Sequence, residues 1–139
     1  MNYYPKYLHH SGAIIWLKKE GGPLSDAEIA WQSLSKVVSV YKHNWRGFQK
    51  ESSDLGVERV HPNQKPVNLY FWTLKNYAKE GDSILDTHLG SGSSRIAAHD
   101  MGFDLVGYEI DKDYFDAQEK RFTNHIKQGS LFSPKDMYQ

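Results

Sequence analysis

The sequence predicts an α/β fold built on a mostly parallel sheet, and three observations carry that prediction. Ser83–Asp86 (SILD) is a short apolar run, followed by a glycine-rich turn, His88–Ser93 (HLGSGS), and then a helical stretch. Leu105–Ile110 (LVGYEI) is a second short apolar run after that helix. Strand, turn, helix and strand in this order make a βαβ unit, which requires parallel strands covered by helices. Both runs end near a carboxylate, Asp86 and Glu109, and ligands of such sheets sit at the carboxyl ends of the strands.

Each element follows from local chemistry. Gly12–Leu17 (GAIIWL) suits a buried strand, and Gly21-Gly22-Pro23 is a loop. Ile29–Ser33 and Val37–Asn44 fit the two strands of a hairpin, and Val37, Val38 and Val40 favour strand. The first of these also fits a helix, with Asp26 and Glu28 near its start. Arg46–Val60 is polar and reads as a loop. Pro66–Ala78 is a helix with Pro66 at its first position, where a missing N–H costs nothing. Val67, Tyr70, Phe71, Leu74, Tyr77 and Ala78 form its apolar face, and Gly81 closes it. Ser94–Met101 is a helix closed by Gly102. Asp111 caps a last helix running to about His125, with Phe115, Phe122 and Ile126 on one side. The final SLFSPKDMYQ shows no element.

Composition bounds the function. At 139 residues with 39% apolar and 14% aromatic content, the chain suits one folded domain, divided at 1–60 (strands and a recognition loop) and 61–127 (ligand-binding part). No apolar run reaches membrane length and no signal peptide is visible, so a cytoplasmic protein is expected. The absence of cysteine excludes disulfides, zinc-thiolate sites and cysteine nucleophiles. The seven histidines include no HxH or HxxxH pair, so no metal site is expected. The net charge of zero hides an asymmetry: residues 1–65 carry nine Lys/Arg and six Asp/Glu, against eight and eleven in residues 66–139. A nucleic-acid partner would face the first half, although a difference this small also arises by chance.

The turn carries the chemistry. Gly90 and Gly92 let the backbone approach a ligand, and the helix that follows points free N–H groups at it. A GxG alone equally suits a plain tight turn. A dinucleotide oxidoreductase would normally show a third glycine, which Gly90-Ser91-Gly92-Ser93-Ser94-Arg95 lacks. Asp86 would repel a pyrophosphate but suits a cationic amino acid, and Glu109 can hold ribose hydroxyls. Polar residues at strand ends are also common for no such reason.

His61–Pro66 (HPNQKP), a helix, and then DTHLGSGSS resemble motifs X and I of the amino-group DNA methyltransferases, which methylate the exocyclic nitrogen of adenine or cytosine. Motif X precedes motif I, as in the permuted β-class, and GYEI resembles motif II. Residues 61–125 carry the closest similarity. GAIIWLKK and EIAWQS resemble segments that precede the recognition loop in adenine-N6 members. The resemblance implies a Rossmann-like fold binding S-adenosylmethionine (SAM). Asp86, Thr87, Gly90, Ser91, Gly92 and Ser93 would line its methionine moiety. Gln64, Lys65 and Pro66 would lie at its carboxylate end, Glu109 at the ribose and Ile110 at the adenine. Lys65 judged alone is equally a solvated lysine. DNA is the implied partner, with Lys42, His43, Trp45, Arg46, Lys50 and Arg59 as candidate phosphate contacts, or else an ordinary solvated loop.

Two departures matter. His88 stands where the family usually has an aromatic residue, and its ring can still stack. The family also needs a (Asp/Asn/Ser)-Pro-Pro-aromatic segment to hold the flipped base. None of the five prolines, Pro5, Pro23, Pro62, Pro66 and Pro134, adjoins another. The expectation is therefore an incomplete sheet and a truncated or split DNA methyltransferase of bacterial or phage origin, of the adenine-N6 kind and inactive alone. It would need a second chain carrying the missing segment, or self-association across an exposed edge. The alternative is a non-catalytic module that binds SAM or a DNA partner.

Overall fold

The computed structural model describes residues 12–18, 25–46, 49–50, 54 and 57–128. The chain divides into two compact units, Met1–Leu55 and Gly56–Gln139. The expected loop at Gly21-Gly22-Pro23 and the C-terminal SLFSPKDMYQ lie outside the described residues.

The first unit is built on β1 (Gly12–Leu17), whose Ala13, Ile14 and Trp16 are buried. Strand β2 (Ala27–Gln32) pairs with it antiparallel, with Ile15 opposite Ile29, and β3 (Val38–Lys42) pairs parallel on its other side, with Ile15 opposite Val40. The predicted strands therefore form, and the helical option for the first is ruled out, but β2 and β3 make no hairpin. The apolar β1 separates them. The side chain of Gln32 builds the crossover. Its Oε1 accepts from the N–H groups of Leu34 and Ser35 (2.9 Å each), and its Nε2 donates to the carbonyls of Ser35 (2.9 Å) and Val37 (3.2 Å). Gly12 packs under this crossover, where a Cβ would lie 2.2 Å from the Val37 carbonyl oxygen, so only glycine fits.

Part of the segment expected to be loop is extended: β4 (Trp45–Arg46) pairs antiparallel with β5 (Gln49–Lys50). The buried indole of Trp16 donates to the carbonyl of His43 (3.0 Å) and pins the end of β3 to β1. Trp16→Phe keeps an aromatic side chain but removes part of the buried ring and leaves that buried carbonyl without its donor. It should lower unfolding stability by about 1–2 kcal/mol, read as a lower urea midpoint at unchanged slope.

The second unit opens with α1 (Val67–Tyr77), which buries Leu69 and Phe71. Pro66 sits one place before its predicted position, as the N-cap, in extended conformation (φ −65°, ψ 145°). Ala78 turns extended and ends the helix, so Gly81 (φ +85°) belongs to the following turn instead of closing the helix. Strands β6 (Ser83–Asp86) and β7 (Asp104–Gly107) pair parallel, with Asp86 opposite Gly107. Between them runs α2 (Ser93–Met101), closed by Gly102 in left-handed conformation (φ +76°) as expected. The βαβ unit is thus as predicted. β7 stops at Gly107, three residues short of the predicted end, although Tyr108 N still donates to the Asp86 carbonyl (2.8 Å).

The last helix, α3 (Lys112–Gln128), begins where predicted: Asp111 Oδ1 accepts from the N–H groups of Asp113 (2.9 Å) and Tyr114 (3.1 Å). Of its apolar side, Phe122 is half-buried against Arg95 and His99, Phe115 and Ile126 are exposed, and the fully buried side chain is Gln118. Leu89, Ile96, Ala97 and Ala98 complete the unit's core. Among the described residues, strand pairing is parallel in β1–β3 and β6–β7 and antiparallel in β1–β2 and β4–β5, so the sheets are partly parallel. Leu85 and Val106 leave one face of β6–β7 exposed. No described helix is long and apolar enough to cross a membrane.

Candidate cofactor-binding site

The carboxyl ends of β6 and β7 and the turn between Asp86 and Ser93 form one connected group. Gly90 (φ +54°) and Gly92 (φ +72°) hold the left-handed conformations that bring the chain round into α2, a geometry that costs a residue with a Cβ roughly 1–2 kcal/mol. Gly90 N donates to Glu109 Oε2 (2.8 Å), and Asp111 N donates to Glu109 Oε1 (3.0 Å). One carboxylate therefore ties the glycine turn to the start of α3. These bonds, from Asp111 and then from Gly90, hold the Glu109 carboxyl below its ordinary value of 4.5 and keep it ionised.

Asp86 is held as firmly. Its Oδ1 accepts from His88 N (3.0 Å), and its Oδ2 accepts from the Ser94 hydroxyl. Thr87 Oγ1 meets the His88 ring at Nδ1 (2.9 Å). Ser93 Oγ donates to the Lys65 carbonyl (2.7 Å), which brings the HPNQKP segment against the turn. Arg121 of α3 donates from Nη1 to the Ser91 carbonyl (2.8 Å) and to Ser93 Oγ (2.9 Å). The imidazole of His61 lies 3.7 Å from where a Gly90 Cβ would stand and packs edge-on against Tyr114.

The structure thus brings together Lys65, Pro66, Asp86, Thr87, Gly90, Ser91, Gly92, Ser93 and Glu109. Ile110 follows Glu109 and is fully exposed. Gln64 differs in one respect. It is buried, with Oε1 accepting from Val60 N (2.9 Å) and Nε2 donating to the Glu58 carbonyl (3.0 Å), so its amide shapes its own loop.

Neither Ser94 nor Arg121 is a candidate site residue in the sequence, and His61 enters there only as the first residue of HPNQKP. Arg121 lies 28 residues beyond Ser93, and nothing in the spacing announces that contact.

Of the candidate DNA contacts, Lys42 is exposed in β3, while Arg46 and Lys50 belong to the β4–β5 pair. The Lys50 ammonium lies over the Trp45 ring at 4.7 Å from its centroid. His43 is not a surface contact. It is buried, with Nε2 2.5 Å from Asp54 Oδ2 and Nδ1 3.2 Å from the Tyr41 hydroxyl. Arg59, in the second unit, donates to the carbonyls of His61 (3.3 Å) and Pro62, so it braces the loop before α1.

Residues 9–120 match the N6_N4_Mtase family model, described as DNA methylase. The chain belongs to this family of amino-group DNA methylases. It is 38% identical over 61 residues to the type II methyltransferase M2.DpnII of Streptococcus pneumoniae, covering 44% of the chain and 23% of that protein. It is 30% identical over 88 residues to M2.LlaDCHI of Lactococcus lactis subsp. cremoris, covering 63% and 32%. The crystal structure of an M1.HpyAVI–SAM complex superposes with a TM-score of 0.57 at 26% identity, covering 78% of the chain and 60% of that structure. The methylase fold is therefore the Rossmann-like α/β fold of SAM-dependent methyltransferases. The chain spans about a quarter to a third of the length of these curated relatives.

Proposed function

We propose that this methylase chain binds SAM at the carboxyl ends of β6 and β7, as the cofactor-binding part of a site-specific DNA methyltransferase acting on adenine N6. The observation that carries the reading is Glu109. It is ionised, locked to the glycine turn and followed by a bare Ile110. The Glu109 oxygens accept from backbone N–H groups and keep lone pairs for ribose hydroxyls. Ile110 offers an apolar cover for a purine. The Asp86 carboxylate would balance the positive end of an amino acid beside the free N–H groups of α2. When bound, the cofactor supplies an electrophilic methyl group.

Lys42, Trp45, Arg46 and Lys50 are the residues proposed to face DNA phosphates; His43 is withdrawn because it is buried. These 139 residues contain no Pro-Pro-aromatic segment, so base holding must come from polypeptide outside them, in the same chain or a second one.

Calorimetric titration with SAM tests the site. Saturable binding is expected, about tenfold weaker in Asp86→Asn, which keeps the shape and removes the charge. Undiminished affinity in the folded variant overturns the role of Asp86, and no binding by the folded parent chain overturns the site. If SAM binds but an added polypeptide bearing the Pro-Pro segment restores no transfer to adenine, the chain is instead a SAM-binding regulatory module.

A further inference from the structure

Away from the glycine turn, the C-terminal turns of α2 and α3 bring three metal-ligating side chains together: His99, Asp100 and His125. Their ligand atoms all lie within 4.8 Å of one another. Asp100 Oδ1 is approached by His125 Nε2 at 2.8 Å and by His99 Nδ1 at 3.1 Å, and Asp100 Oδ2 lies 3.0 Å from His125 Nε2. We propose that this cluster is a binding site for a divalent transition-metal ion such as Zn²⁺, held by two imidazoles and one carboxylate, with water in the remaining position.

The donor set is the borderline nitrogen-plus-oxygen set that such ions take, and three protein ligands leave one tetrahedral position open. Around an ion with bonds of roughly 2.0–2.2 Å, ligand atoms stand about 3.4 Å apart. The two Asp100–histidine separations, 2.8 and 3.1 Å, need to open by a few tenths of an ångström, and the two imidazoles need to close on each other. His99 has half its side-chain surface in solvent and is able to rotate, whereas Asp100 is nearly buried and fixes the centre. Both helices end here: His99 and Asp100 are in the last turn of α2, and His125 is in the last turn of α3. The partial negative charge of two helix C-termini therefore adds to that of the carboxylate in attracting a cation.

Such an ion would staple α2 to α3. The start of α2 carries the glycine turn, and Arg121 of α3 holds that same turn, so the staple braces the cofactor site from behind. The ligands come from adjacent positions on one helix and a position 25 residues beyond Asp100, a pattern without sequence signature.

The test uses the purified chain, stripped with EDTA and titrated calorimetrically with ZnCl₂, with Co²⁺ absorption as a second probe. One ion per chain is expected, with visible Co²⁺ bands of tetrahedral intensity and a raised Tm at saturating Zn²⁺. His125→Ala should weaken binding about 30-fold or more and abolish the Tm shift. His99→Asn, at an exposed position that leaves the fold intact, should weaken binding similarly. Unchanged stoichiometry and affinity in both variants would assign the ion to other histidines and overturn the proposal. A folded chain that takes up no Zn²⁺ at about 1 mM, the weak end of the usual affinity range, would overturn it equally.

Discussion

Glu109→Ala should weaken SAM binding by two orders of magnitude or more while leaving the second unit folded. The side chain makes two charge-assisted bonds to backbone N–H groups, at Gly90 and Asp111. The affinity lost with it is that of charge-assisted bonds to two ribose hydroxyls, at about 1.5–3 kcal/mol each, and each 1.4 kcal/mol is tenfold in affinity. The alanine variant loses the ribose acceptors as well as the tie that presents Gly90 to the ligand. Glu109→Gln should fall between, because its one remaining oxygen cannot accept from both N–H groups in the same way. Calorimetric affinity within threefold of the parent for the alanine variant would remove Glu109 from the site.

The same contacts set a pH dependence. The Glu109 carboxyl is held below 4.5 by the Asp111 and Gly90 N–H groups. A depressed folded-state value means a contribution fully present above the ordinary carboxylate value and lost as pH falls through the lowered one. SAM affinity should therefore decline only as pH falls below the ordinary carboxylate range, and Glu109→Gln should lessen that decline.

Much of this arrangement was legible in the sequence because its signals are short-range. The βαβ unit was predicted from two apolar runs and a glycine turn, and the Asp111 cap and the Gly102 stop are matters of one or two residues. The partners of β2 and β3 were not legible. Strand pairing depends on which neighbour takes the centre, and the buried Gln32 that routes the chain across β1 looks in sequence like any polar residue before a turn. His43 failed as a DNA candidate for a related reason: basic residue type says nothing about burial, and its partner Asp54 is 11 residues away. Glu109 and Asp86 could be named in advance, but not the Arg121 and Ser94 contacts that hold the turn between them.

Gly92→Ala should destabilise the second unit by about 2–4 kcal/mol and abolish measurable SAM binding, for two separable reasons. The backbone at Gly92 is left-handed (φ +72°), which costs alanine roughly 1–2 kcal/mol whatever its surroundings. A Cβ would also stand 3.0 Å from Gln118 Oε1 and 3.2 Å from Gln118 Cβ. Gln118 cannot step aside freely, since it is fully buried and its Oε1 accepts from Arg95 (2.9 Å). Removing that far end in Gly92→Ala/Gln118→Ala should relieve the 3.0 Å contact with Oε1 and leave the Cβ contact and the backbone strain. The double variant should then be more stable than the sum of the single effects by about 1 kcal/mol, a coupling that thermal or urea unfolding resolves. Additivity within roughly 0.5 kcal/mol would mean that the Gln118 amide plays no part in the requirement for glycine. The positive coupling would mean that α3 is seated directly against the cofactor turn through Gln118. In that case α3, by way of both Gln118 and Arg121, sets the position of the N–H groups at the start of α2.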